Sequence, residues 1–410
     1  LSEAVAARGG RGLDFLNFFV ADVQTGFGPF IAIYLTTQHW TPLQIGGVLA
    51  LGSMAGMASQ LPAGALVDAM PSKKVAAFLA IAAITFSALL FVFAPTRFGI
   101  GLAEILHGFA SCMLNPAIAA ISIGLVGHAA LGERLGRNAR FSSLGAGVAA
   151  GIMGACGYYF QPSSVFWLTA LLCAPALLAM AAIPSRPLPR RIGGRRGELA
   201  LGLWALATDR RLLAFMVCIV MFQMADAAML PFVGNEIAGR AGGVANLVIA
   251  ACLVGPQAVV AIISPWVGRA AQTRRRFILL LGFAAEPVRA LLFAVTSAPV
   301  PVVLIQALNG VSAAVVGVTL PLIAAGIARE RGHFNLTMGA IGLAVGLGAS
   351  VSNAAAGAVA NAAGVPAAFL MLAAAGAVAT LLVWWLLPDP AVQDTAMLPV
   401  GVRERQSAIR

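Results

Sequence analysis

Charged residues make up only 10% of this 410-residue chain, 26 of them basic and 15 acidic. An ordinary soluble domain carries about 25%, and a fold of this size cannot cover its exterior with so few, which argues against a soluble enzyme. Disordered, collagenous and coiled-coil classes fail as well, because charge is sparse and no short repeat is present. Cysteine is scarce too. Cys112, Cys156, Cys173, Cys218 and Cys252 all fall in apolar segments, and their odd number and setting make them packing residues rather than a disulfide framework. The sequence has no P-loop with a Gly-Lys-Ser/Thr ending, no metalloprotease helix and no nucleophile elbow. Direct ATP use and hydrolytic chemistry therefore find no support, and no cofactor is expected.

What is there is hydrophobic, 60% of the chain. A spanning helix needs roughly 20 mainly apolar residues. Apolar runs between charged or Pro/Gly breaks fall at 13–36, 42–67, 75–94, 98–127, 141–160, 163–183, 212–234, 244–267, 277–295, 301–328, 336–361 and 366–387. The first is long enough to span, and no cleavable signal peptide is visible. The longest polar stretch, Pro184 to Arg211, is rich in Pro, Gly and Arg and divides six segments from six. The expected architecture is an all-α membrane protein with 12 transmembrane helices in two pseudo-symmetric six-helix bundles. Residues 1–183 form the first bundle, 184–211 a cytoplasmic linker, 212–390 the second bundle and 391–410 a cytoplasmic tail.

The net charge of +11 resembles a nucleic-acid signal until its placement is considered. With the N-terminus inside, every basic residue except Arg97, Arg240 and Arg289 falls on the cytoplasmic side. Such a bias in short loops sets orientation, so both termini are expected in the cytoplasm and the chain in the cell membrane. The surplus is a topology signal and a contact for anionic lipid, not a site for nucleic acid.

The two halves also match at an offset of about 202 residues. Pro29-Phe30 corresponds to Pro231-Phe232, Pro62 to Pro265, and the run Glu104-Ile105-Leu106-His107-Gly108 to Gln306-Ala307-Leu308-Asn309-Gly310. Parallel six-helix repeats are a transporter architecture, with the cargo site near the midplane between them.

Between segments 2 and 3, Gly64-Ala65-Leu66-Val67-Asp68-Ala69-Met70-Pro71-Ser72-Lys73-Lys74 resembles the signature of the major facilitator superfamily: a Gly, an Asp five residues before a basic residue, and a basic pair. A carboxylate at such a helix end can pair with Arg or cap a neighbouring helix. The resemblance covers the whole chain. It implies that Asp68 latches the cytoplasmic side, with Gly64, Lys73 and Lys74 in the same gating element. The same residues also fit a solvated turn with topology-setting lysines. In the second copy, Pro265-Trp266-Val267-Gly268-Arg269, Arg269 stands where the acid would be, which puts a symmetric second latch in doubt. Segment 4 has Glu104 where many proton-coupled members carry Arg. Segment 5 has a ladder, Gly147, Gly151, Gly154 and Gly157, that resembles the antiporter motif without its Gly-Pro; small residues so spaced permit close helix approach.

Ionisable groups inside the membrane are costly and face a cavity or a partner. The resemblance implies that segments 1, 4, 7 and 10 line the central cavity, which places Asp22 and Asp226 there, with Gln24 at the position matching Asp226. Burial disfavours the charged form of a carboxylate, so protonation can alternate with cation binding. Glu104, His107, Ser111 and Asn115 fall on one helical face and read as a proton relay or substrate contact, or as a self-satisfied pair filling a gap. Gln306 and Asn309 repeat that pair without charge. Glu286 and Arg289, one turn apart around Pro287, read as a structural ion pair. Met216, Met221, Met224 and Met229 suit a soft metal, but Met221, Met224 and Asp226 do not all share one face and no Cys/His cluster joins them, so no metal site is expected.

The expectation is a non-enzymatic secondary transporter, a monomer by the resemblance, that uses protons to export a cationic or neutral, partly hydrophobic small molecule. The alternative is proton-coupled uptake of a neutral or cationic nutrient, metal ion or metal chelate.

Overall fold

The structure, a computed structural model, describes residues 3–25, 29–161, 163–184, 202, 204–240, 245–331 and 333–387. Most of the expected linker and all of the expected tail lie outside these residues, as do the side chains of Asp22 and Gln24. Regular structure among the described residues is entirely helical. In chain order it comprises α1 (Glu3–Thr25), α2 (Pro29–Thr37), α3 (Pro42–Ala69), α4 (Lys73–Phe93), α5 (Arg97–Val126), α6 (Leu131–Tyr159) and α7 (Ser164–Ala181). There follow α8 (Arg210–Asp226), α9 (Met229–Arg240), α10 (Ala245–Thr273), α11 (Arg275–Val295), α12 (Pro299–Arg331), α13 (Phe334–Ala363) and α14 (Val365–Leu386).

Each expected segment coincides with helix, α1 with α2 representing the first and α8 with α9 the seventh. Four boundaries differ by more than a turn. α1 begins at Glu3, α6 at Leu131, α9 runs on to Arg240 and α10 to Thr273. In each case charged residues end the apolar run but not the helix, since a helix can continue past the apolar zone when its charges are paired or solvated. Nine of the described helices are long and apolar enough to cross a membrane. α1, α3 and α6 are not among them; they carry the glycines and polar side chains through which helices touch one another.

Local chemistry sets many of the ends. Thr41 caps α3 in a reciprocal box with Gln44, with Pro42 in the first turn. Thr96 caps α5, and Asp209 caps α8 by accepting from the N–H groups of Arg211 and Leu212. Helix C-termini leave carbonyls exposed, and the internal repeat supplies donors to them in the same way twice. Lys74, in the first turn of α4, donates to the carbonyl of Ile183 beyond α7 at 2.6 Å, and Arg276, in the first turn of α11, donates to the carbonyl of Trp384 at the end of α14. The donors are 202 residues apart, the same offset that the sequence repeat shows.

In the first half α1 packs on α6 and α7, α3 on α5, and α4 on α5 and α7, around a core that runs from Leu13 through Ile81, Phe91 and Phe166 to Ile183. In the second half α10 packs on α12, α8 on α13 and α14, and α11 on α12 and α14. The outer faces carry exposed apolar side chains such as Phe78, Phe86, Leu171, Leu178 and Trp385, as a lipid-facing surface requires.

The halves meet along two seams, α3 against α13 and α6 against α10. Both are backbone-close. A Cβ at Gly64 would collide with the Asn335 carbonyl, and one at Gly339 with the Gln60 carbonyl. Across the other seam Gly132 and Gly268 each face the other's carbonyl, and Gly136 faces that of Ser264. These contacts lie at the end of the molecule that carries Lys73, Arg134 and Arg274. Gly46, Gly47, Gly147 and Gly151, further along α3 and α6, meet nothing within 4 Å. Of the ladder read in segment 5, Gly147 and Gly151 are therefore not where α6 is approached closely; Gly132, Gly136 and Gly145 are, while the surroundings of Gly154 and Gly157 lie outside what the structure describes.

Candidate functional site

Asp226 ends α8, at the turn Ala227–Ala228 that separates it from α9. The turn interrupts the helical hydrogen-bond ladder, and the Ala228 N–H is received by Ser352 Oγ of α13 at 3.2 Å. Facing it, α11 contains Pro287, whose ring fits only because α14 has Gly376 there: an added Cβ would lie 2.8 Å from Pro287 Cδ. This close fit turns Glu286 and Arg289 inward, and both are fully buried.

Four helices thus deliver one polar cluster. Arg289 reaches Asp226 Oδ1 at 2.5 Å and Glu286 Oε2 at 3.0 Å, and its Nε donates to Met229 Sδ at 3.1 Å. Asn309 of α12 donates to Asp226 Oδ1 at 3.3 Å. The side chain of Asp226 is 25% exposed, against 1% for Arg289 and 0% for Glu286, so the first carboxylate is the open member of the cluster. The expected Glu286–Arg289 pair is present, but it is not a separate structural feature, because the same guanidinium nitrogen holds Asp226. Two carboxylates share one guanidinium, and with all three ionised the cluster carries one surplus negative charge.

The segment-4 candidates, all on α5, divide. Glu104 is buried, its Oε2 seated in a niche that a side chain at Gly52 would fill, and its Oε1 has no hydrogen-bond partner. His107 Nε2 and Ser111 Oγ lie 3.3 Å apart. Asn115 is exposed, so the expected single face runs from a buried to an open environment along α5. In the repeat, Gln306 is likewise buried with its Oε1 unpartnered, while Asn309 turns to Asp226. Among the described residues no three His, Cys, Asp or Glu side chains come together as a metal site.

At the seam, Asp68 accepts from the Asn335 N–H at 3.2 Å, from Asn335 Nδ2 at 2.7 Å and from the Leu336 N–H at 2.8 Å. The helix it caps, α13, has His333 at its N-cap with no side-chain cap of its own. One half thus satisfies the first N–H groups of a helix in the other. Lys73 closes the end of α3 through the carbonyls of Val67 at 2.7 Å and Met70 at 3.0 Å. The second seam uses a neutral contact, Gln272 Nε2 to the Ala129 carbonyl at 2.5 Å, and Arg269 is exposed.

Sequence reasoning missed one cluster altogether. Asp14 of α1 binds Arg134 and Arg137 of α6, the latter at 2.5 Å, and Arg134 Nε donates to Asn138 at 2.8 Å. The available signal was Arg134, Arg137 and Asn138 at helical spacing, with Asp14 about three turns into α1. It also missed Met229 as a partner of Arg289.

Comparison with known proteins gives a consistent family. The profile of the Major Facilitator Superfamily matches residues 13–285. An uncharacterised MFS-type transporter of Mycobacterium tuberculosis, found in strains CDC 1551 / Oshkosh and ATCC 25618 / H37Rv, is 35% identical over 411 residues, covering 98% of this chain and 97% of that protein. Among solved structures, the fucose:proton symporter of Escherichia coli superposes with a TM-score of 0.73 at 16% identity, over 92% of this chain and 98% of its own. The human organic anion transporter MFSD10 gives 0.73 at 15% identity, over 92% and 99%. At these identities the structural likeness is one of fold.

Proposed function

The chain belongs to the major facilitator superfamily, a family of multi-pass membrane transporters rather than enzymes, and from that premise we propose that it couples secondary transport of a solute to protons. The proposed cargo is a cationic or neutral, partly hydrophobic small molecule, exported in exchange for protons. The observation that carries this reading is the sharing of Arg289 between Asp226 and Glu286. A surplus negative charge in a low-dielectric interior is costly unless a proton or a cation neutralises it. When both compete for one carboxylate pair, loading the cation displaces the proton, and that competition produces exchange rather than co-transport. Asp226 is the open carboxylate where cargo meets the cluster, and Asn309 adds a neutral hydrogen-bonding group beside it. Glu104, His107 and Gln306 are assigned to the cavity as supporting polar groups.

Alternating access then follows from the two seams. Positive residues favour the cytoplasmic side, which makes the joined end the cytoplasmic one, with both termini inside. Gly64, Asp68 and Lys73 hold α3 against α13 there, Lys74 ties α4 to α7 within the first bundle, and Gly268 serves the second seam in place of an acid at Arg269. Opening the cytoplasmic side requires the Asp68 cap and the glycine contacts to part. The bundles 1–183 and 212–390 would rock as units.

A second reading has an observation of its own. Glu104 is a buried carboxyl with an unpartnered oxygen in the other half of the molecule. A proton there and a cargo at Asp226 could bind together, which would give uptake by symport. Proton release on binding separates the two. Adding organic cations to the purified protein in weakly buffered detergent should eject about one proton per cation bound if the cluster carries exchange. Proton uptake would favour symport at Glu104, and binding confined to carboxylates would overturn the proposed cargo class.

A further inference from the structure

Gly317 of α12 has no packing reason to be a glycine. A Cβ there would meet nothing within 4 Å, whereas one at Gly310, about two turns earlier, would collide with Val259 and the Pro256 carbonyl of α10. A helix-interior glycine weakens its helix relative to alanine, so close helix approach explains Gly310 and leaves Gly317 unexplained. Gly317 is exposed although Val315, Val318 and Thr319 around it are buried, and α12 is enclosed by α6, α10, α11 and α13. It therefore faces the gap between the bundles and not lipid. Its counterpart in the repeat, 202 residues earlier, is Asn115 of α5, the one exposed residue in the otherwise buried stretch 112–122. One turn back the same two faces carry Ser111 and Ala313, and a further turn back His107 and Asn309, the latter bonded to Asp226. Met57 of α3 lies against Gly346 of α13. Both are about three turns from the cytoplasmic ends of their helices, as Asn115 is from the end of α5. The last cross-bundle contact of that seam thus lies at the depth of Asn115, which places the Asn115 and Gly317 positions at the floor of the gap.

We propose that Gly317 and Asn115 set the shape and the length of the cargo, an inference that rests on the cationic cargo site assigned to Asp226 above. With its cation at Asp226, the cargo runs down α12 over the methyl group of Ala313 and the bare backbone of Gly317. That wall has no side chain longer than a methyl group, so it accepts a flat apolar ring system, and any larger residue at 317 would project into the space the ring needs. From Asn309, beside the acid, to Gly317 the helix descends about 12 Å. A hydrogen-bonding group about that much deeper than the cation meets the Asn115 amide on the opposite bundle, which offers both a donor and an acceptor. The two halves differ at equivalent positions in the way this requires: the second supplies the charge and the smooth wall, and the first supplies the amide.

Equilibrium binding to the full-length protein in detergent tests this with three quaternary ammonium probes. One is a trimethylammoniomethyl biphenyl with a carboxamide at the far para position, one is the same biphenyl without the amide, and one is tetramethylammonium. In the native protein the amide probe should bind about fivefold more tightly than the plain biphenyl, the gain of one hydrogen bond, and both should bind more tightly than tetramethylammonium. Asn115→Leu should bring the amide probe down to the plain biphenyl and leave tetramethylammonium unchanged. Gly317→Leu should weaken both biphenyls by about tenfold, and Gly317→Ala by less, with tetramethylammonium unaffected in each. Because a Cβ at 317 meets nothing, the alanine variant folds like its parent and carries the test even if the leucine variant does not fold. Equal weakening of tetramethylammonium and the biphenyls by Gly317→Ala, or biphenyls that bind no better than tetramethylammonium to the native protein, would overturn the proposal and leave the cation site at Asp226 standing. Binding of all three probes that survives Asp226→Asn, or binding of none to the native protein, would instead remove the cation site, and the proposal with it.

Discussion

Arg289 of α11 holds the carboxylate of Asp226 of α8 at 2.5 Å, although 63 residues of chain separate them. Because the same nitrogen also faces Glu286 at 3.0 Å, removing the charge of Asp226 leaves the guanidinium paired. Asp226→Asn should therefore fold normally, with a melting temperature within a few degrees of the parent. Gradient-driven transport should fall at least tenfold, since the cluster no longer holds the surplus charge for which proton and cargo compete. Native accumulation by this variant in proteoliposomes would remove Asp226 from the mechanism.

Removing Arg289 has the opposite profile. Arg289→Met strands Glu286, which is 0% exposed, without a counter-charge. Breaking a buried pair by deleting one partner costs about 3–5 kcal/mol, so thermal stability should drop by several degrees and expression with it. Glu286→Leu combined with Arg289→Met eliminates both buried charges and should recover most of that loss while staying inactive. A double variant as unstable as the single one would mean that packing around Pro287 and Gly376, rather than charge, sets the stability of α11.

The two seams predict a graded response. Gly64→Ala and Gly268→Ala each place a methyl group against a carbonyl of the other half. Overpacking of this kind costs about 1–3 kcal/mol, here only in the conformation where the seam is closed. Asp68→Asn keeps one oxygen to accept from the first N–H groups of α13, so it should cost less than the about 0.5–2 kcal/mol that complete loss of a helix cap does. Spin labels on the α3–α4 and α12–α13 connections should report a longer distance in all three variants, least in Asp68→Asn. Unchanged distance distributions in both alanine variants would show that the closed state is not held by these contacts.

How far the sequence carried the reading depends on whether the signal was periodic or distant. The 202-residue repeat is a linear signal, and it extends into three dimensions as the paired closures by Lys74 and Arg276. Asp68 stands in a contiguous pattern, so its helix-end position is legible, although its partners Asn335 and Leu336 are not. The Asp226–Arg289–Glu286 cluster was divided between two readings because the sequence shows only the one-turn spacing of Glu286 and Arg289; Pro287 and Gly376 fix the direction in which they point, and that is a packing fact. The start of α6 was misplaced for a related reason. Hydropathy opens the segment only after Arg140, whereas the helix begins at Leu131 and pairs its arginines with Asp14.

That last pairing leads to a prediction in which two neighbouring arginines behave differently. Arg134 is 6% exposed and belongs to a relay: its Nε donates to Asn138 Oδ1 at 2.8 Å, Asn138 Nδ2 to Ser122 Oγ at 2.8 Å, and Ser122 to the Ile118 carbonyl at 2.9 Å. Arg137, one turn on, is 54% exposed. An exposed ion pair contributes at most about 1 kcal/mol, because water and salt already screen both charges. A buried one costs about 3–5 kcal/mol when a single partner is lost. Asp14→Asn and Arg134→Gln should therefore each destabilise the first bundle strongly, and Arg137→Gln hardly at all. In double-mutant cycles read by thermal unfolding, Asp14 should couple to Arg134 by several-fold more than to Arg137. Equal coupling would mean that water reaches Arg134 as freely as it reaches Arg137, and that the relay through Asn138 and Ser122 does not bind α1, α5 and α6 together.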